Sequence, residues 1–175
     1  MSLATSGPSR RGVLFVCHAN MCRSPLAQGI FTRIARDRGV LERFDIDSAG
    51  TWAADGIAPH RLSIEVAERH GIEASMLGTG SRSIAPDDLD RFAEIVVMDR
   101  RNMADIERLR RISAFGPVVG GSARISLLRR FVDPHARGPK ADVPDPVRGG
   151  AEQFEHAYEI IEQGCRALLD VLVDL

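Results

Sequence analysis

No stretch of this sequence stays apolar for the roughly 18 residues that a membrane-crossing helix needs, so no spanning segment is expected. Charge of one sign is also missing: 23 Lys and Arg stand against 24 Asp and Glu, for a formal net charge of -1. That balance supplies no bulk field toward nucleic acid or a membrane surface, and neither partner is expected. Cysteine is scarce. Cys17, Cys22 and Cys165 are an odd number, which argues against a disulfide scaffold. No His/Cys spacing resembles a zinc site, so no metal and no cofactor is expected. Residues 1–11 are small and polar, lack the apolar middle of a secretory signal, and read as a flexible N-terminal leader. The cytoplasm is the expected location. With no internal repeat and no second core visible, residues 12–175 read as a single domain, and 44% hydrophobic residues suffice to build its interior.

Periodicity places the elements. Gly12 to Cys17 is a short apolar run, a buried parallel strand. Ser24-Pro25 predicts a helix start, with Ser at the N-cap and Pro at the first helical position, running to about Arg38 before Gly39. Further strands are expected at Phe44–Ser48, Ala93–Met98 and Arg124–Leu128. Helices are expected at Pro59–Arg69, Asp87–Phe92, Asn102–Arg111 and Gln153–Val173. Phe131 to Gly150 is a long loop rich in Pro, Gly and Asp, a length that in compact domains usually carries function. Strands alternating with helices predict an α/β fold: a doubly wound parallel sheet of about four strands flanked by helices. Ligands in such folds bind beyond the carboxyl ends of the strands, which is where the first loop lies.

That loop is the most informative segment. In Cys17-His18-Ala19-Asn20-Met21-Cys22-Arg23-Ser24-Pro25, a thiol and a guanidinium stand at the two ends of a turn joining a buried strand to a helix. A loop of this length curls so that successive backbone N–H groups face one oxyanion, and the helix end adds its own N–H groups and positive dipole. Arg23 supplies a planar fork for two phosphate oxygens, while the same surroundings favour the thiolate of Cys17. Such a loop is suited to taking phosphate off an ester.

The chain resembles the low-molecular-weight protein tyrosine phosphatase family. The resemblance rests on the Cys17-to-Arg23 loop with Ser24-Pro25, Asp47-Ser48-Ala49-Gly50-Thr51-Trp52, Val97-Met98-Asp99-Arg100-Arg101-Asn102, and the late Asp145-Pro146. It spans about residues 12 to 173 and implies a metal-independent phosphomonoester hydrolase acting on phosphotyrosine proteins or peptides through a phosphocysteine. Cys17 is then the nucleophile and Arg23 the group that binds the equatorial oxygens, with His18, Ala19 and Met21 completing the loop. Ser24 either donates to the Cys17 sulfur or caps the helix. Asn20 shapes the loop, since Asn tolerates a left-handed backbone, and Ser48 is its hydrogen-bonding neighbour. Of Asp133-Pro134 and Asp145-Pro146, the resemblance selects Asp145 as general acid, because Gly149-Gly150 and the final helix follow it; Asp133 reads as a turn residue. Cys22 takes the role of reversible disulfide partner, and Cys165 reads as core. Asp99 reads as the cap of the next helix. His18 points into the loop mouth or to solvent; His60, His70, His135 and His156 read as surface or loop residues.

Departures from the family pattern bear on substrate. Ala19 replaces a common Gly, and Met76-Leu77-Gly78-Thr79-Gly80 replaces a shorter segment that often carries a His supporting Asn20. Gly78-Thr79-Gly80-Ser81 lacks the third Gly and the Lys-Ser/Thr end of a nucleotide loop. Val147 and Arg148 stand where aromatic residues are common, leaving Trp52 as the one aromatic wall of the substrate rim. Alternatives are a protein arginine phosphatase, disfavoured by the bulk of Met21, and an arsenate reductase of related fold, whose thiol relay would have to come from Cys165. A non-catalytic phosphate-binding module is a further alternative, but Cys17, Arg23 and Asp145 are all present.

Overall fold

The computed structural model describes residues 10–113 and 122–175. Every residue of the apolar run after Arg11 is buried, and Arg11–Cys17 forms β1. Phe44–Gly50 (β2), Glu94–Val97 (β3) and Arg124–Leu127 (β4) complete a four-stranded, all-parallel sheet of order β2-β1-β3-β4. Parallel strands need crossovers, and Arg23–Asp37 (α1), Arg61–Arg69 (α2), Asp88–Arg91 (α3) and Arg100–Ser113 (α4) lie in them, with Ala151–Val173 (α5) following the last strand. This is the expected doubly wound arrangement. Alternation along β1 sorts the interior. Val13, Phe15 and Cys17 pack with α1, α2 and α5, while Leu14 and Val16 pack with Leu89 and Ile106 of α3 and α4 on the other face. Phe15, Phe31 and Phe44 make tilted and edge-on ring contacts with centroids 5.5 and 5.4 Å apart across the first layer.

Two sequence expectations shift. Residues 1–9 of the expected leader lie outside the described residues, but Arg11 is already in register with Phe44, and its guanidinium reaches the buried Glu94 at 2.8 Å. Glu94 is buried at the start of β3, and its second oxygen accepts from Arg124, also at 2.8 Å. The helix expected to open at Pro25 opens at Arg23, with Cys22 as a cap that offers no side-chain bond, so Ser24 lies inside α1 rather than at its N-cap. His60, expected at the surface or in a loop, stands in the loop before α2 and caps it: its Nδ1 accepts from the Leu62 N–H at 3.2 Å, and its ring stacks on Phe154 of α5. The other boundaries agree within two residues; α2 opens at Arg61 rather than Pro59, and α4 runs from Arg100 to Ser113. Gly39 ends the first helical segment with φ of 68°, a conformation glycine adopts freely.

Candidate active site

The loop between β1 and α1 closes because its carbonyls are tied outward. Cys17 and His18 carbonyls accept from the Thr51 and Trp52 N–H groups, both at 2.9 Å, and the Met21 carbonyl accepts from His60 N–H at 2.8 Å. The Cys22 carbonyl accepts from Leu26 N–H at 3.3 Å and from the Ser63 hydroxyl at 3.4 Å. With the carbonyls so engaged, the N–H groups of His18 to Arg23 donate to no acceptor among the described residues. An unpartnered arc of N–H groups at a helix N-terminus is an anion cradle. The curl needs one left-handed residue, and Asn20 supplies it at φ of 54°. It also needs a neighbour without a side chain: a Cβ on Gly50 would fall 2.5 Å from the His18 carbonyl oxygen.

A continuous hydrogen-bonded chain runs beneath the cradle. Cys17 Sγ lies 3.0 Å from Ser24 Oγ, and the Asn20 amide donates to Ser24 Oγ at 2.9 Å and to Ser48 Oγ at 3.0 Å. Ser48 in turn donates to Gln28 Oε1 at 2.7 Å, and Ser24 Oγ is 3.2 Å from the Ala49 carbonyl. Of the two roles open to Ser24, the sulfur contact is present and the cap is not.

Arg23 is buried and held from three sides. Its Nη1 donates to Asp99 at 2.7 Å and to the Val143 carbonyl at 3.0 Å, and its Nη2 donates to Asp145 at 3.0 Å. Burial works against its charge, but the neighbouring Cys17, Asp145 and Asp99 outweigh that and raise its pKa above the ordinary value. Asp99 also caps α4 as expected, its Oδ1 accepting from Asn102 N–H at 2.8 Å; its second duty, on Arg23, had no local signal. The loop carrying Asp145 is anchored by the Val143 N–H on the Met98 carbonyl at 2.8 Å and by Asp142 on Arg100. Asp145 therefore reaches the cradle, whereas Asp133 accepts from His135 N–H in a turn of its own at 3.0 Å.

The cradle opens into a cavity of ≈140 Å³ lined by Cys17, His18, Met21, Arg23, Asp145 and Val147. A wider cleft of ≈1180 Å³ continues past Arg23, between the start of α4 and the 139–148 segment, and is bordered by Arg101 and Arg148. Ala19 and Cys22 line the smaller cavity as well, and His18 is exposed at the mouth of both. Trp52 is not brought to the cradle: its backbone is tied to the loop, but its side chain is 68% exposed and borders neither cavity. Met21 and Val147 form the apolar rim instead. Burial pushes the Cys22 thiol up to about 12, with the charges of Cys17 and Asp145 adding to the effect. Cys165 is fully buried in α5, 3.7 Å from the Ala27 carbonyl.

Fold and loop together define the class of cysteine-dependent phosphatases. The profile of low molecular weight phosphotyrosine protein phosphatases matches residues 12–174, and the chain belongs to that family. It is 35% identical over 159 residues to low molecular weight protein-tyrosine-phosphatase YfkJ of Bacillus subtilis, covering 90% of this chain and 92% of that one. The crystal structure of YfkJ superposes with a TM-score of 0.79 at 33% identity, covering 95% of this chain and 97% of that one. The human low molecular weight phosphotyrosine protein phosphatase is 32% identical over 161 residues, 91% of this chain and 94% of its own. A Drosophila arginine phosphatase also shares the fold, with a TM-score of 0.76, 27% identity and coverage of 91% and 96%.

Sequence reasoning did not find Gln28, Arg82 or the second duty of Asp99. Gln28 follows Ser24 by one helical turn, a spacing that places both side chains on one face of α1. Arg82 has no such signal.

Proposed function

We propose that this enzyme hydrolyses phosphotyrosine in proteins or peptides through a phosphocysteine intermediate, without a metal or cofactor. One observation carries the reading: a buried thiol at the floor of an N–H cradle, with a guanidinium and a carboxyl converging at its mouth. In the free site Asp145 occupies one arm of Arg23. An entering phosphate dianion takes the Arg23 fork and the loop N–H groups, releasing that carboxyl toward the ester oxygen. The Cys17 thiolate attacks phosphorus in line; the bond to the tyrosyl oxygen breaks, and the carboxyl of Asp145 gives that oxygen its proton. Asp145, now a carboxylate, takes a proton from water as the water oxygen attacks the phosphocysteine. Phosphate leaves, and the thiolate departs into a hydrogen bond from Ser24. Loss of turnover in Cys17→Ser with phosphate still bound is the expected result; appreciable hydrolysis by that variant refutes Cys17 as nucleophile.

Tyrosine is favoured over arginine because Met21 projects beside the cavity, where a guanidinium head would need polar partners. The similarity to an arginine phosphatase makes the comparison necessary, and side-by-side turnover of phosphotyrosine and phosphoarginine peptides makes it. Faster phosphoarginine turnover overturns the substrate assignment. Cys165 is walled in by the core, so the thiol relay of an arsenate reductase has no accessible member there. The reading places the enzyme in the cytoplasm, where the Cys17 thiol stays reduced. Cys22 protects it: peroxide converts the Cys17 thiolate to a sulfenic acid, and the Cys22 thiol condenses with it, forming a disulfide and releasing water.

A further inference from the structure

The 78–84 segment carries no catalytic group, yet it is tied to the residue that shapes the cradle. Arg82 N–H donates to Asn20 Oδ1 at 3.0 Å, and the Arg82 carbonyl accepts from Gly50 N–H at 2.9 Å. Its side chain is pinned as well. Nε and Nη2 donate to Asp47 Oδ2 at 3.1 and 2.9 Å, while Nη1 and Nη2 donate to the two oxygens of Asp88 at 2.8 and 3.2 Å. Asp88 is 5% exposed, and its Oδ2 also accepts from Ala85 N–H at 2.8 Å. The guanidinium thus locks the segment to β2 on one side and to the start of α3 on the other.

We propose that Arg82 is a positioning residue that sets the polarity of the hydrogen-bonded chain ending on the Cys17 sulfur. The inference rests on the phosphatase reading above for its catalytic consequence, though not for its geometry. A backbone N–H can only donate, so the Asn20 atom facing Arg82 must be the oxygen. The Asn20 NH₂ then faces Ser24 and Ser48 and donates to both. Ser24 Oγ, having accepted from Asn20, turns its own proton to Cys17 Sγ or to the Ala49 carbonyl. Were the Asn20 amide reversed, Ser24 would have to donate to it, and its one proton would be lost to the sulfur. The contact also holds the left-handed backbone of Asn20, a strained conformation that persists only when its surroundings fix it. Arg82 is the anchor of that contact because its side chain, not local sequence, fixes where its own N–H sits. Support for this Asn thus comes through a backbone N–H placed by an ion pair.

Arg82→Met, Arg82→Lys and Asp47→Asn test the proposal, with Asn20→Ala as the partner in a double-mutant cycle. Asp47 is a third exposed in its side chain, so Asp47→Asn keeps the buried Asp88 paired and preserves the fold even if Arg82→Met does not. Turnover of an aryl phosphate is expected to fall about tenfold or more in Arg82→Met, the usual scale for losing a partner one step removed from a site. The loss falls in kcat more than in KM, is smaller in Asp47→Asn, and is partly restored in Arg82→Lys. In the Asn20→Ala background the Arg82 and Asp47 substitutions cost little more, because the residue they act through is gone. The Asn20 side-chain NH₂ resonances of the substituted proteins, read by NMR without substrate, are expected to shift or broaden. Additive losses in the cycle, or Asn20 resonances unchanged in Asp47→Asn and Arg82→Lys, overturn the proposal. If wild type hydrolyses no aryl phosphate, the phosphatase reading fails while the NMR comparison still decides the role of Arg82.

Discussion

Asp145 and Asp133 are both followed by proline, yet only Asp145 touches Arg23. Asp145→Asn is expected to slow a poor-leaving-group aryl ester by about 10²–10⁴, the scale of general acid catalysis. An activated ester, whose oxygen hardly needs a proton, suffers less, and Asp133→Asn changes little; a reversed ranking in steady-state kinetics makes Asp133 the acid. Cys22 carries a second prediction. Burial keeps its thiol protonated at neutral pH, so in the proposed protection it is an oxidised Cys17 that this thiol condenses with. Peroxide followed by thiol reductant should restore wild-type activity, while Cys22→Ser starts active and recovers poorly. Full recovery of Cys22→Ser leaves Cys22 without that role.

Among the elements, the loop after β4 depends on Asp142, whose carboxylate binds the Arg100 side chain and accepts from its N–H. Burial acts to raise the Asp142 pKa, but these bonds outweigh it and hold it below the ordinary value. A lowered folded value makes the tether stabilising above the unfolded pKa of about 3.9 and lost as pH falls through the folded one. Asp142→Asn should therefore lower the melting temperature at pH 7 and converge with wild type in acid; a difference that persists unchanged there removes the tether. The same elements show what the sequence can and cannot convey. Strand and helix order was legible because burial and turn residues repeat locally, and Cys17 and Arg23 were legible because seven consecutive positions hold them both. Ser24 reads as a cap by local propensity, but the sulfur at the end of β1 and the Asn20 amide claim its hydroxyl. Asp99 and Arg82 lie 76 and 62 positions from the residues they hold, and only the sheet brings them there. Trp52 has the right chemistry for a ring-binding wall, but the turn after β2 leaves it in solvent.

For the whole molecule, a net charge of -1 means that any attraction for acidic peptides is local rather than global. Arg101 and Arg148 border the wide cleft leading from the cradle, whereas Arg100 there is paired with Asp142. Phosphotyrosine peptides with acidic flanks should turn over faster than basic ones, and the advantage should shrink with added salt. Arg148→Tyr is expected to flatten it and to tighten small aryl phosphates, by about 0.5–1.5 kcal/mol if the new ring stacks on the substrate. Equal rates for both peptides at low salt eliminate this role for Arg148.

The strand order has a consequence for how the enzyme comes into being. β1 is made first, yet it lies inside the sheet, between β2 and β3, and waits for both. As the chain leaves the ribosome, the strand ending at Cys17 has one edge covered once Gly50 has emerged and the other only after Val97. Asp145 follows nearly fifty residues later. A nascent chain halted before Val97 should thus carry an alkylatable Cys17 and an open strand edge, the condition in which chaperones engage and aggregation starts. On the proposed mechanism, the thiol meets its acid only as the last helix is about to be made.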